Sequence, residues 1–394
     1  MKYLMKSMLA LVMSVALLFA SMSYLASSSL DAGSQLGFGS LQAAAQGLSE
    51  TDLPEEVEPG PPPRIICLAP SMVEVVFALG FGDFIVGWSS LSDYPPEVTE
   101  RYGWVPYTVY EFINMEDLDI EEQLAKEVAV VSRFADFNLE LVKLLEPTLI
   151  LAESAMQRPM YEELSELGFN VLFFDPQSLE DVFYMIISVG DALGVREAAL
   201  ELVDGYLQEI DRILEITSEL PRVRVYYEIA HRMYWGDMYF GPFTAGQGTP
   251  FDQIVEIAGG INVFGHLEGG YVSVDFADII EANPDIILSP MWWGASDFAV
   301  TTIFEIMTRD GFYEINAVQS SRVLFYDSSL FKRFGPRTII AIQKLAYLLH
   351  PLHFENPENS GVPWELGRID LFNYDVVDLL EYEALDLYEY EVVE

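Results

Sequence analysis

At 394 residues the chain is long enough for two α/β lobes with appendages, and 51% hydrophobic with 13% aromatic residues supplies buried cores, which excludes global disorder. Its 62 acidic against 20 basic side chains leave a formal net charge of -42. A field of that sign repels phosphate, so nucleic acid and anionic membrane surfaces are excluded as partners, and the surplus acid reads as a solvated surface suited to high salt or an acidic exterior.

The first thirty residues carry the pattern of an export signal. Lys2 and Lys6 precede an uncharged apolar core from Met8 to Ala20, and small residues (Ser21, Ser23, Ala26, Ser28) follow. Cleavage is expected after Ser28; uncleaved, the stretch to Leu30 is expected to anchor the chain as one membrane helix. The segment has no cysteine for lipid attachment. Residues 31–63, ending in Gly60-Pro61-Pro62-Pro63, read as an exposed tether stiffened at its end, with folded structure starting at Arg64.

Residues 64–177 alternate strand and helix. Ile65 to Leu68 is a buried strand, Pro70 breaks it, and Ser71-x-x-Glu74 has the form of a capping box opening a helix that stops at Gly80. Phe84 to Trp88 is a second strand, and Ser89 to Pro96, with Asp-Tyr-Pro-Pro, is a loop. Tyr107 to Gln123 reads as an acidic insertion. Glu127–Val131, Thr148–Ala152 and Asn170–Phe174 are expected strands, with helices over Asn138–Leu145 and Met160–Leu167. Residues 178–220 keep helical periodicity, interrupted only at Gly190 and Gly194, and predict one long rigid connecting helix. The second lobe, 221–351, repeats the alternation with strands at Arg222–Ile229, Asp285–Ser289 and Arg322–Tyr326, and helices at Pro250–Ala258, Asp275–Ala282 and Pro336–Leu349. Residues 352–394 form an acidic, aromatic extension to which no chemistry is assigned.

The segments RIICLAPSMVEVVFALGFGDFIVGW, SDYPPE, NLELVKLLEPTLILA, FDQIVEIAGGINVF, VSVDFADIIEANPDIIL and FKRFGPRTIIAIQKLAYLLHP run in order from Arg64 to about Pro351. Together they resemble the cobalamin and ferric siderophore binding family, the class III solute-binding proteins of ABC importers. The resemblance implies two α/β lobes with central sheets, joined by one long helix, with the ligand in the cleft between them and little lobe movement on binding. It also implies an acidic residue on each lobe that docks into arginine pockets of the permease. The matching positions are Glu74, in SMVE, and Asp275, in SVD, where the usual Glu is shortened by one methylene. Both have a local explanation as well, Glu74 in the capping box and Asp275 as an acid in a helix's first turn.

Large chelates need aromatic platforms and a few directed polar groups. Trp88, Tyr94, Tyr234, Trp235, Trp292 and Trp293, at strand ends and loops, are the aromatic candidates, each also able to pad a core. Lys332, Arg333 and Arg337 fall within six positions, and His231-Arg232 follows the second lobe's first strand. Arg333 is the candidate contact for an anionic ligand, while Arg337 is read as a partner for a neighbouring acid.

The alternatives are weaker. The only cysteine, Cys67, lies in the first strand and reads as a buried small hydrophobe, and His231, His266, His350 and His353 lack ligand spacing, so a bare zinc or manganese site is disfavoured. No nucleophile elbow, phosphate loop or His-Glu-x-x-His helix points to an enzyme. An exported scaffold using the tail leaves the ordered resemblance unexplained. The expectation is a monomeric, exported receptor, periplasmic or at the cell surface, that touches a membrane only through its first segment or its permease. It has no cofactor of its own, captures an iron complex or related chelate such as cobalamin, and delivers it to an ABC permease and its ATPase.

Overall fold

The computed structural model describes residues 62–98, 115–133, 136–230, 233–235, 238–291 and 303–355. The expected signal, the tether up to residue 61 and the acidic tail from residue 356 lie outside the described residues, as do Arg232, Trp292 and Trp293. Among the described residues no helix is long and apolar enough to cross a membrane.

The first lobe begins with β1 (Ile65–Cys67), α1 (Pro70–Ala78), β2 (Ile85–Ser89), α2 (Ile120–Leu124) and β3 (Ala129–Ser132). It continues with α3 (Leu139–Leu144), β4 (Leu149–Glu153), α4 (Arg158–Glu166) and β5 (Val171–Phe174). The five strands form one sheet in the order β3-β2-β1-β4-β5, parallel throughout. Parallel strands buried on both faces read as continuous apolar runs, and β1, β3 and β4 do so here. One face packs Ile66, Leu68, Val131, Ile150 and Ala152 against Leu141, Val142, Met160 and Leu164 of α3 and α4. Each fully buried aliphatic side chain contributes about 1.5–3 kcal/mol.

The expected capping box at Ser71 and Glu74 does not form. The N-cap is Ala69, Pro70 holds the first turn, and no side chain caps the helix. Helix α1 instead buries Ser71 through Val76 almost all round, and Gly80, at φ 82°, ends it with its amide donating to Phe77.

Two helices connect the lobes where one was expected: α5 (Leu179–Ala192), capped by Ser178, and α6 (Arg196–Thr217). Gly194, at φ 74°, turns the chain between them. A Cβ at Gly190 would stand 2.5 Å from the Ala199 Cβ, so only glycine lets the helices close this tightly. At 22 residues α6 runs about 33 Å, with Ala199, Val203, Leu207, Ile210 and Ile213 as its buried stripe.

The second lobe runs β6 (Val223–Tyr227), β7 (Met233–Trp235), β8 (Met238–Phe240), β9 (Phe243–Ala245), α7 (Pro250–Ile257), β10 (Gly260–Asn262), β11 (Tyr271–Ser273), α8 (Phe276–Ala282) and β12 (Ile286–Met291). It closes with α9 (Ile303–Thr308), α10 (Asn316–Gln319), β13 (Val323–Asp327), α11 (Ser328–Lys332) and α12 (Thr338–Leu349). Its parallel sheet has the order β10-β6-β12-β13, while β9 with β11 and β7 with β8 make antiparallel pairs. Tyr226, Phe264, Ile279, Ile287, Ile306 and Phe312 fill one face. On the other, Tyr227 stacks on Phe251 at 4.2 Å and meets Tyr326 at 5.1 Å.

Candidate functional site

In the first sheet the chain runs outward from β1 to β2 and β3, then crosses back to β4 on the opposite side of β1. Loops leaving β1 and β4 therefore diverge, and a crevice opens beyond their carboxyl ends, the usual ligand position in such sheets. Gln157 spans these two ends: its Oε1 accepts from the Glu153 amide at 3.1 Å, and its Nε2 donates to the Leu68 carbonyl at 2.8 Å.

Glu153 ends β4 at this crevice, partly buried, and its Oε2 accepts from Ser71 Oγ at 3.0 Å. Burial pushes its carboxyl up to about 7, the Ser71 hydrogen bond pulls it back, and the Asp175 charge adds to the rise. The next residue, Ser154, sits at φ 89°, ψ 148°, a region nearly reserved for glycine and costing about 1–3 kcal/mol. Its Oγ is buried without a hydrogen-bond partner, as are those of Ser90 and Ser92 after β2. In the second lobe, Tyr271 opens β11, exposed, with its ring 6.3 Å from that of Phe243.

The lobes are pinned together beside this crevice. A Cβ on Gly335 would meet the Ser71 carbonyl oxygen at 3.6 Å. Arg337 donates to both Glu74 oxygens, at 2.9 and 2.6 Å, approaches Asp327 at 3.9 Å, and lies 4.2 Å above the Tyr94 ring. Burial raises the Glu74 carboxyl, the facing guanidinium opposes that shift, and Arg337 itself is pushed up by its acid partners. Arg333 pairs with Asp93 and donates to the Leu91 carbonyl at 3.1 Å.

These contacts revise several expectations. Glu74 is 2% exposed with both oxygens engaged, so it braces the lobes and offers no carboxylate to a permease arginine. Arg333 is expected to hold an anionic ligand, but its charge is spent on Asp93. Trp88 is 6% exposed and belongs to the core beneath β2, not to a cleft wall. Tyr94 stays partly exposed on the loop facing the second lobe. Tyr234 and Trp235 lie in β7, whose backbone alone is described. Asp275 is exposed as the N-cap of α8 and shares a capping box with Asp278, whose Oδ2 accepts from the Asp275 amide at 3.0 Å.

Sequence reasoning missed one buried pair. Arg309 donates to the two Glu228 oxygens at 2.5 and 2.9 Å and lies 4.9 Å from the Phe276 ring and 5.3 Å from Phe312. Glu153 carries a readable signal too, as an acid closing an apolar strand. Cys67 is buried, which pushes its thiol up and keeps it inert. Among the described residues no group of three or more His, Cys, Asp or Glu could hold a metal ion.

A family model described as "Periplasmic binding protein" matches residues 65–330. An uncharacterized ABC transporter substrate-binding lipoprotein, YvrC, of Bacillus subtilis is 29% identical over 303 residues, covering 75% of this chain and 82% of its own. A vitamin B12-binding protein of Vibrio cholerae is 24% identical over 293 residues, covering 74% and 91%. Among solved structures, the apo periplasmic heme-binding protein RhuT of Roseiflexus sp. RS-1 superposes with a TM-score of 0.58 at 21% identity, over 73% of this chain and 98% of that one.

Proposed function

Because the chain belongs to the periplasmic binding protein family, we propose that it is the extracytoplasmic substrate-binding component of an ABC importer, capturing an iron complex or a related chelate such as cobalamin and passing it to the permease. The observation that carries this reading is the pairing of two parallel-sheet lobes within the family match, pinned so that the carboxyl end of the first sheet faces the second lobe. Binding is followed by handover without covalent chemistry, and the chelate is cargo, with no resident cofactor. Export through the first thirty residues, retained or cleaved, and action as a monomer complete the proposal. Tyr94, Trp235, Trp292 and Trp293 are the proposed ligand platforms.

For permease docking, Asp275 is the proposed contact. Asn caps a helix as well as Asp does but carries no charge, so Asp275→Asn separates the two roles. In a reconstituted importer the variant is expected to bind chelate normally and lose uptake; normal uptake would remove Asp275 from the docking surface. The binding reading is tested by titrating the 394-residue chain with ferric siderophores, haemin and cyanocobalamin in high salt, following tryptophan fluorescence corrected for ligand absorbance. Saturable quenching by one chelate is expected, and no response from folded protein to any of them would overturn it.

A further inference from the structure

Resting on that reading, we propose that Glu153, braced by Ser71 and followed by Ser154, forms a contact for neutral hydrogen-bond donors, amide or hydroxyl groups, on the rim of the bound chelate, and so selects against chelates fringed with carboxylates. Three observations carry this.

The first is position. The Ser71–Glu153 hydrogen bond joins the loops leaving β1 and β4, where the strand order reverses and the crevice opens. The Gln157 bridge fixes both loops, so the carboxyl is held and not merely present.

The second is unmet bonding capacity. Ser71 occupies Glu153 Oε2, and among the described residues no donor reaches Oε1. Ser154 Oγ is buried without a partner on a backbone that L side chains rarely adopt. Buried polar atoms normally find partners, so an unsatisfied hydroxyl beside a carboxylate with a free oxygen marks groups that a ligand completes.

The third is the disposition of charge. Among the described residues the arginines at this interface are paired: Arg333 with Asp93 and Arg337 with Glu74, with Arg309 held by Glu228 deeper in the second lobe. Arg158, on the helix after β4, faces Asp175. Lys332, partly buried beside Arg333, is pushed down to about 8 by burial and by that charge. Among the described residues, each arginine near a ligand carboxylate placed here already faces an acid, whereas an amide N–H or a hydroxyl finds the Glu153 carboxylate as an acceptor.

The test uses the full chain at pH 8, above the value of about 7 at which Glu153 titrates. Cyanocobalamin, fringed with amides, is compared with haemin, which carries two carboxylates, by fluorescence and calorimetric titration. Glu153→Gln keeps the side-chain shape but replaces an acceptor oxygen with a donor nitrogen. Cyanocobalamin is expected to bind at least about tenfold more tightly than haemin, and Glu153→Gln to weaken cyanocobalamin by about tenfold while leaving haemin equal or stronger. Haemin binding as tightly as cyanocobalamin, or unchanged cyanocobalamin affinity in a Glu153→Gln protein with a native circular dichroism spectrum, would overturn the inference and leave the receptor reading standing. Failure of every chelate to bind removes both.

Discussion

Glu153 and Glu74 are both carboxylates that close or follow apolar runs, yet their surroundings give them opposite chemistry. Glu74 faces a guanidinium and stays in a buried ion pair; Glu153 faces a hydroxyl and an acid, and its proton leaves only near neutrality. The second case couples to stability. The folded value of about 7 lies above the ordinary 4.5, so the native state holds the proton more tightly; that contribution is complete below about 4.5 and is lost as pH rises through 7. Ligand-free Glu153→Gln protein is therefore expected to gain thermal midpoint over the parent as pH goes from 5 to 8, and equal midpoints at both pH values in differential scanning calorimetry would contradict this. For Glu74 the expected failure is different. Arg337→Met leaves a buried acid unpaired and is expected to cost about 3–5 kcal/mol in denaturant unfolding, with Glu74→Gln added to Arg337→Met recovering part of the loss.

At the scale of elements, the sequence displays its parallel strands openly because each is an unbroken apolar run, and β1, β2, β4, β5, β6, β12 and β13 fall within a residue or two of where those runs predict them. The short pairs β7–β8 and β9–β11 were illegible: three-residue strands among glycines carry no period to read. Ser71 and Glu74 misled for another reason. Their spacing satisfies a local motif, but partners 82 and 263 residues away claim both side chains, and no local pattern encodes such distances. The connecting segment was legible in its helicity and in its glycines, though not in its fold into two helices, which depends on Gly190 meeting Ala199. Gly190→Val is expected to part α5 from α6 and lower stability by about 1–3 kcal/mol, seen as an earlier urea midpoint with unchanged slope.

Over the whole molecule, each lobe is built from one continuous stretch of chain, and the contacts that join them are of two kinds. Arg337 with Glu74 is buried, while Asp93 in the Arg333 pair remains exposed. Salt screens the exposed pair and barely reaches the buried one. Glu74→Gln/Arg337→Met protein, left with the exposed pair alone, is thus expected to lose more thermal midpoint between low and molar salt than the parent does. A drop of equal size in both backgrounds would mean that the pairs do not cooperate. The ligand-facing residues were the least legible at this scale, since only the packing of one lobe on the other decides which aromatic or acid faces the gap.

The separation of 263 residues between Glu74 and Arg337 also sets an order of events as the chain emerges. The first lobe has all five of its strands by residue 174, long before its guanidinium partner exists. Until then α1 carries a bare carboxylate where its partner will later dock, and a newly made first lobe is an acid-stabilised half-molecule waiting for its closing residue. Coexpressed as two polypeptides divided near Gly194, the halves are expected to find each other through that vacancy together with the Arg333–Asp93 pair and the α5–α6 packing at Gly190, and a first-half chain carrying Glu74→Gln to reassemble less well, even though it is the steadier fragment alone.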